Sequence, residues 1–155
     1  MKLLALSEHY FPRVGGTVSY VHETLNAIVK LGIEVELIVP GPLSRDFIPQ
    51  NTCYHLTALD AGYPMQGNPT AKQRREFCVK ADAAVRKRLK GDSDSRPDLI
   101  HILFGLFLME EIDTVCCQDL GVPVMATVHN LPPMECGRLL PNAVLCKKFK
   151  EVMRL

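Results

Sequence analysis

Short apolar runs and helix-spaced segments take turns along this chain, and that alternation constrains the fold more than any single motif. Residues 2–7 form a short apolar run. Residues 17–31 then carry Val18, Val21, Leu25, Ile28 and Val29 at steps of three and four, and residues 34–39 are a second run rich in β-branched side chains. This pattern is a β-α-β unit whose helix is stopped by Gly32. After the Pro40-Gly41-Pro42 break, the pattern predicts a third strand over 53–59 and a loop over 61–69. A helix is expected over 70–89, its apolar side made of Phe77, Ala81, Ala84, Val85 and Leu89. A fourth strand over 98–104, a helix over 106–120 stopped by Gly121, and a fifth strand over 123–129 follow, and residues 139–155 open another helix. Near-continuous apolar strands separated by helices imply a parallel sheet covered on both faces with right-handed crossovers. The expected fold class is therefore α/β, a Rossmann-like doubly wound parallel sheet.

A chain of 155 residues suits a single domain, here residues 1–155. Its 47% hydrophobic and 23% charged residues exclude a disordered or collagen-like class. The net charge of +1 lacks the electrostatic footprint of a dedicated nucleic-acid binder, so no nucleic-acid partner is expected. The apolar start at Met1 meets Ser7-Glu8-His9 before a secretory region reaches full length, and no stretch of about eighteen apolar residues occurs, which points to a cytoplasmic location. The six cysteines (Cys53, Cys78, Cys116, Cys117, Cys136 and Cys146) show no C-x-x-C spacing and are read as reduced core residues. Structural zinc wants two close ligand pairs, and the adjacent Cys116 and Cys117 would point apart on a helix.

In an open parallel sheet, ligands bind beyond the carboxyl ends of the strands, which directs attention to the segments after Ser7, Phe104 and Thr127. The first, residues 8–16, places Gly15 and Gly16 at a helix start, where unpaired N–H groups can face a phosphate. Neither the dinucleotide-binding nor the P-loop glycine pattern is present, and plain turn chemistry accounts for the pair as well as a ligand does. His129, beside Asn130, ends the fifth strand, where an imidazole either faces the cleft or caps the strand. His101 sits within Ile100-His101-Ile102 and is as readily packed inward as exposed to a substrate. Ser7, Glu8, His9, Thr17 and His22 show no nucleophile-elbow or triad spacing and are read as ordinary solvent-facing polar residues.

The ordered set Tyr10-Phe11-Pro12-x-x-Gly15-Gly16, then Val21, Leu25, Val29 and Leu31, then Gly32-x-Glu34-Val35, Pro97-Asp98-Leu99-Ile100-His101 and Thr127-Val128-His129-Asn130 resembles the amino-terminal domain of family four (group 1) retaining glycosyltransferases. The resemblance covers nearly the whole chain. It implies a GT-B architecture of two Rossmann-like domains facing one cleft. The first domain mainly takes the acceptor and the second mainly takes the nucleotide sugar. It implies that Gly15 and Gly16 approach the donor diphosphate, that His129 contacts the donor sugar as the catalytic-site histidine, and that Tyr10, His101 and Asn130 lie on the acceptor or substrate side. The implied partners are a nucleotide-sugar donor and a glycan or lipid acceptor, and no metal or other cofactor is implied.

One departure concerns the acceptor side. Family members often carry a second polar residue two positions after the first histidine, where this chain has His101-Ile102-Leu103. Between Lys72 and Lys90, eight basic side chains stand against Glu76 and Asp82, a pattern that reads either as a solvated face or as peripheral contact with an anionic membrane. Asp92-Ser93-Asp94 imitates a metal-binding D-x-D but follows a helix instead of an apolar strand, so no metal site is expected there. The sequence stops where a further strand is expected. It therefore reads as the amino-terminal part of a larger transferase lacking the nucleotide-sugar domain, or alternatively as a noncatalytic Rossmann-like remnant acting as a binding or regulatory subunit.

Overall fold

The computed structural model describes residues 1–64, 67–92 and 96–127. Within them, five strands form one parallel sheet in the order β3-β2-β1-β4-β5: β1 (Lys2–Ser7), β2 (Glu34–Gly41), β3 (His55–Asp60), β4 (Leu99–Phe104) and β5 (Val124–Ala126). The helices are α1 (Gly16–Lys30), α2 (Ala71–Leu89), α3 (Leu106–Glu111) and α4 (Thr114–Asp119). The expected α/β Rossmann-like sheet is thus the observed one. β1 lies at its centre, with Ala5 opposite Leu37 on one side and His101 on the other.

Side chains alternate across a strand, so β1 feeds two cores. Leu3 and Ala5 pack with Val21 and Leu25 of α1 and with Val35, Leu37 and Val39 of β2. Leu4 and Leu6 pack on the other face with Phe77, Ala81, Val85 and Leu89 of α2 and with Leu108 and Ile112 beyond. Helices therefore cover both faces, as a sheet with no polar side requires.

Elsewhere the structure departs from the pattern, each time for a visible reason. The single helix expected over 106–120 is two helices. Ile112 takes an extended conformation, and Asp113 becomes the N-cap of α4, its carboxylate accepting from Cys116 N at 3.0 Å. Asp113 is fixed there from outside: Arg86 Nη2 donates to it at 2.7 Å, and its own N–H donates to Asp82 Oδ1 at 3.0 Å. The third strand starts two residues later than expected because Cys53 N donates to Asn26 Oδ1 at 3.0 Å instead of joining the sheet. Cys53 is exposed, a correction to its reading as a core residue, whereas Cys78 and Cys117 are buried. Burial pushes the Cys117 thiol up to about 11.

The basic helix α2 is partly neutralised by the fold. Arg88 makes a bidentate pair with Glu36 of β2, Arg86 is held by Asp82 and Asp113, and Lys80 by Glu76. Lys72, Arg75, Lys87 and Lys90 stay exposed. No helix among the described residues is long and apolar enough to cross a membrane.

Candidate functional site

The segment joining β1 to α1 leaves the carboxyl edge of the sheet, and its first half is tied down residue by residue. Ser7 Oγ donates to His9 O at 2.8 Å, and Glu8 N donates to Phe104 O at 2.9 Å. The His9 ring meets Phe104 edge-on with centroids 4.5 Å apart. Ser7 and Glu8 are buried, Glu8 to 2% exposure, which corrects their reading as solvent-facing. The Glu8 carboxylate accepts from Leu108 N at 3.3 Å at the start of α3 and lies against Gly105.

Tyr10 is the next anchor. It is 2% exposed, and its hydroxyl is 2.5 Å from that of Tyr54. A buried chain continues from there: His22 Nδ1 is 2.9 Å from Tyr54 OH, and Asn26 Nδ2 donates to His22 Nε2 at 3.1 Å, with Asn51 flanking the same nitrogen at 3.0 Å. Asn26 is oriented by accepting from Cys53 N at 3.0 Å. His22 is therefore a core residue and not a surface one. It and Asn26, four residues apart, share the buried face of α1 with Val18, Val21 and Leu25. That spacing was the available signal for a polar network inside the apolar stripe.

Beyond this anchored half, the loop opens to solvent. Val14 is fully exposed, and Gly15 and Gly16 are exposed beside it. Gly15 is the N-cap of α1, with Val18 N and Ser19 N donating to its carbonyl at 3.1 and 3.2 Å and no side chain capping the helix. The first N–H groups of α1 are thus presented at a helix N-terminus, where the helix dipole favours an anion. Neither glycine is demanded by the fold: Gly15 has extended backbone, and a Cβ on either would meet nothing within 4 Å.

Around this opening the charge is positive. Arg13 stacks over the Tyr63 ring at 5.6 Å from its centroid, and the charges of Arg13 and Arg74 both act on His9. Burial first, and then these two cations, push the His9 imidazole down to about 4. A histidine with a folded pKa below its ordinary 6.5 binds its proton less well in the folded state. Its contribution is full above pH 6.5 and is lost as pH falls toward 4. Relative to pH 7, the protein at pH 4.5 is expected to lose about 1–2 kcal/mol more stability than a His9→Asn variant, once solvent screening of a half-buried ring is allowed for. Urea unfolding at the two pH values measures this, and parallel losses in both proteins would contradict it.

The other residues singled out from the sequence divide in two. His101 is buried in β4 and holds Thr127 at 2.8 Å through Nε2, tying β4 to the segment leaving β5. His129 and Asn130 lie outside the described residues. Arg13, Tyr63 and Arg74 were not singled out. Arg74 shares the spacing of Phe77, Cys78 and Ala81, so it lies on the inward stripe of α2, one turn before Phe77.

Among solved structures, a similar fold is that of Phytolacca americana UGT2 complexed with UDP-2fluoro-glucose and pterostilbene. The TM-score is 0.53 at 12% identity, and the match covers 81% of this chain and 29% of that one. It is a likeness of fold alone, and this chain spans under a third of that protein's length. No curated protein sequence matches the chain. The model of Glycosyltransferase Family 4 matches residues 14–151, from the exposed end of the crossover loop almost to the end of the sequence. The chain therefore belongs to glycosyltransferase family 4.

Proposed function

We propose that this chain is the acceptor-side Rossmann-like domain of a retaining glycosyltransferase that moves a sugar from a nucleotide-sugar donor to a glycan or lipid acceptor. The observation that carries the reading is the Gly15–Gly16 opening: two glycines with no role in packing or backbone strain, at an uncapped helix N-terminus over the carboxyl edge of the sheet. Departure of a sugar's anomeric carbon leaves negative charge on the diphosphate, and fixed N–H donors stabilise that charge without reorganising. Glycine at both positions lets the diphosphate come within hydrogen-bond reach of the backbone. The reaction is written without a metal, the charge being met by helix N–H groups and cationic side chains. His129, with Asn130 beside it, is assigned to the donor sugar and substrate. His101 serves by holding Thr127 at the base of that segment. Tyr10 holds the crossover loop from beneath through Tyr54.

The similar structure, UGT2, is complexed with UDP-2fluoro-glucose, which is the class of donor that the proposal expects. The proposed location is cytoplasmic. Contact with an anionic membrane, if made, falls to the outward Lys72, Arg75, Lys87 and Lys90.

The test is transfer by the protein from a panel of nucleotide sugars, with product stereochemistry read by NMR. Transfer with the donor's anomeric configuration kept is expected. Inverted product would overturn the retaining assignment, and no transfer from any donor would overturn the enzyme reading.

A further inference from the structure

At the carboxyl edge of the sheet, a hollow of about 20 Å³ is lined by Phe11, Pro12 and Arg13 of the crossover loop, Pro40 and Pro42 at the end of β2, and Tyr63. Neither Gly15 nor Gly16 lines it. Its volume admits one water-sized group, such as a single oxygen of a larger molecule seated at the mouth.

Two polar atoms here are buried without a hydrogen-bond partner among the described residues: Arg13 Nη2 and Tyr63 OH. Tyr63 is 6% exposed, so its hydroxyl is a donor withdrawn from water and not compensated. The two side chains are not strays, because each is fixed by its other contacts. The Tyr63 ring packs edge-on against Phe77, with centroids 5.8 Å apart, and carries the Arg13 guanidinium on its face at 5.6 Å. Arg74 stands one turn before Phe77 on the same stripe of α2, and Gln73 beside it donates to Gly62 O, which joins the start of α2 to the Tyr63 segment. The charge of Arg74 accordingly acts on Arg13, Tyr63 and His9 alike. The charge of Glu8 also acts on Tyr63, and its carboxylate accepts from Leu108 N at the start of α3. A guanidinium stacked on a phenol at the wall of a partly desolvated hollow suits an anion, which would take up the two uncompensated donors, Arg13 Nη2 and Tyr63 OH.

We propose that Arg13 and Tyr63 form a subsite for an oxyanion, a phosphate or carboxylate, carried by the acceptor. The proposal rests on reading the Gly15–Gly16 opening as the donor-diphosphate side. Because the hollow lies over β1 and β2 and excludes both glycines, it takes a second anionic group and not the diphosphate itself. The acceptor class is then an anionic one, such as a sugar phosphate, a phospholipid headgroup or a glycan acid, and not a neutral oligosaccharide or aglycone.

The experiment is calorimetric titration of inorganic phosphate into the protein, with arms for Arg13→Gln and Tyr63→Phe, each checked by circular dichroism. Phosphate is expected to bind the wild type, to bind Arg13→Gln at least tenfold more weakly, and to bind Tyr63→Phe severalfold more weakly. No phosphate binding by the wild type, or binding by Arg13→Gln as tight as by the wild type, would overturn the subsite. If a nucleoside diphosphate displaces phosphate competitively, the hollow belongs to the donor and the acceptor assignment falls. Failure of the transferase reading shows separately, as absence of sugar transfer with phosphate binding intact.

Discussion

Replacing Gly105 with alanine is expected to cost the protein about 3–4 kcal/mol, through two effects that act together. Gly105 has φ +140, a backbone conformation that strains any residue bearing a Cβ by about 1–3 kcal/mol. A Cβ there would also lie 2.5 Å from Glu8 Oε1 and 2.8 Å from Glu8 Cγ. Glu8 cannot simply swing aside, because it is buried and its carboxylate satisfies Leu108 N at the start of α3. Moving it would leave an uncompensated charge and an orphaned N–H in the core. Urea unfolding of Gly105→Ala measures the sum. In a Glu8→Ala background the steric part disappears, so the same substitution should cost only the backbone part, about 1–3 kcal/mol. A loss under about 1 kcal/mol in the wild-type background would contradict the placement of Glu8 beneath Gly105.

Gly16→Val should do the reverse: leave stability within about 0.5–1 kcal/mol of wild type but lower sugar transfer at least about 100-fold. The added side chain meets nothing in the protein within 4 Å, and Gly16 has no left-handed backbone to strain. A small change in helix propensity, in favour of valine, is all the folded chain feels. On the proposed function, the space it fills belongs to the diphosphate, and the valine methyls hold the phosphate oxygens beyond reach of the α1 N–H groups. Losing such donors typically costs a factor of about 10² to 10³. The two glycines thus separate a folding requirement from a ligand requirement. Unfolding curves and transfer rates measured on both variants would show the separation, and a Gly16→Val protein with wild-type turnover would remove the glycines from the site.

The strands, α1 and α2 were legible in the sequence because periodic burial is a local property: Leu3 to Leu6 alternate between the two cores, and Val18, Val21 and Leu25 repeat with the helix. What was not legible came from partners distant in sequence. The break between α3 and α4 is made by Asp113 answering to Arg86 and Asp82 on α2. Glu8, His22 and Tyr10 look like surface or substrate-facing groups until Leu108, Asn26 and Tyr54 are folded against them. Polar residues at strand ends are buried when such partners exist, and a linear pattern does not contain that information. The Gly15–Gly16 opening was legible as a candidate because a strand-to-helix crossover places its N–H groups by topology alone. Arg74 went unremarked because it was counted among the charges of a basic helix, although its spacing from Phe77, Cys78 and Ala81 puts it on the inward stripe.

The account depends on the glycine N–H groups of the first crossover meeting the diphosphate. Selective labelling of glycine amides with nitrogen-15 reads that contact directly, because ten glycines give a sparse spectrum. On adding a nucleoside diphosphate shown by calorimetry to bind the protein, the Gly15 and Gly16 signals should move most, while those of Gly32 and Gly121 at the opposite ends of their helices stay in place. Saturating nucleotide that leaves the Gly15 and Gly16 signals unmoved would contradict the account.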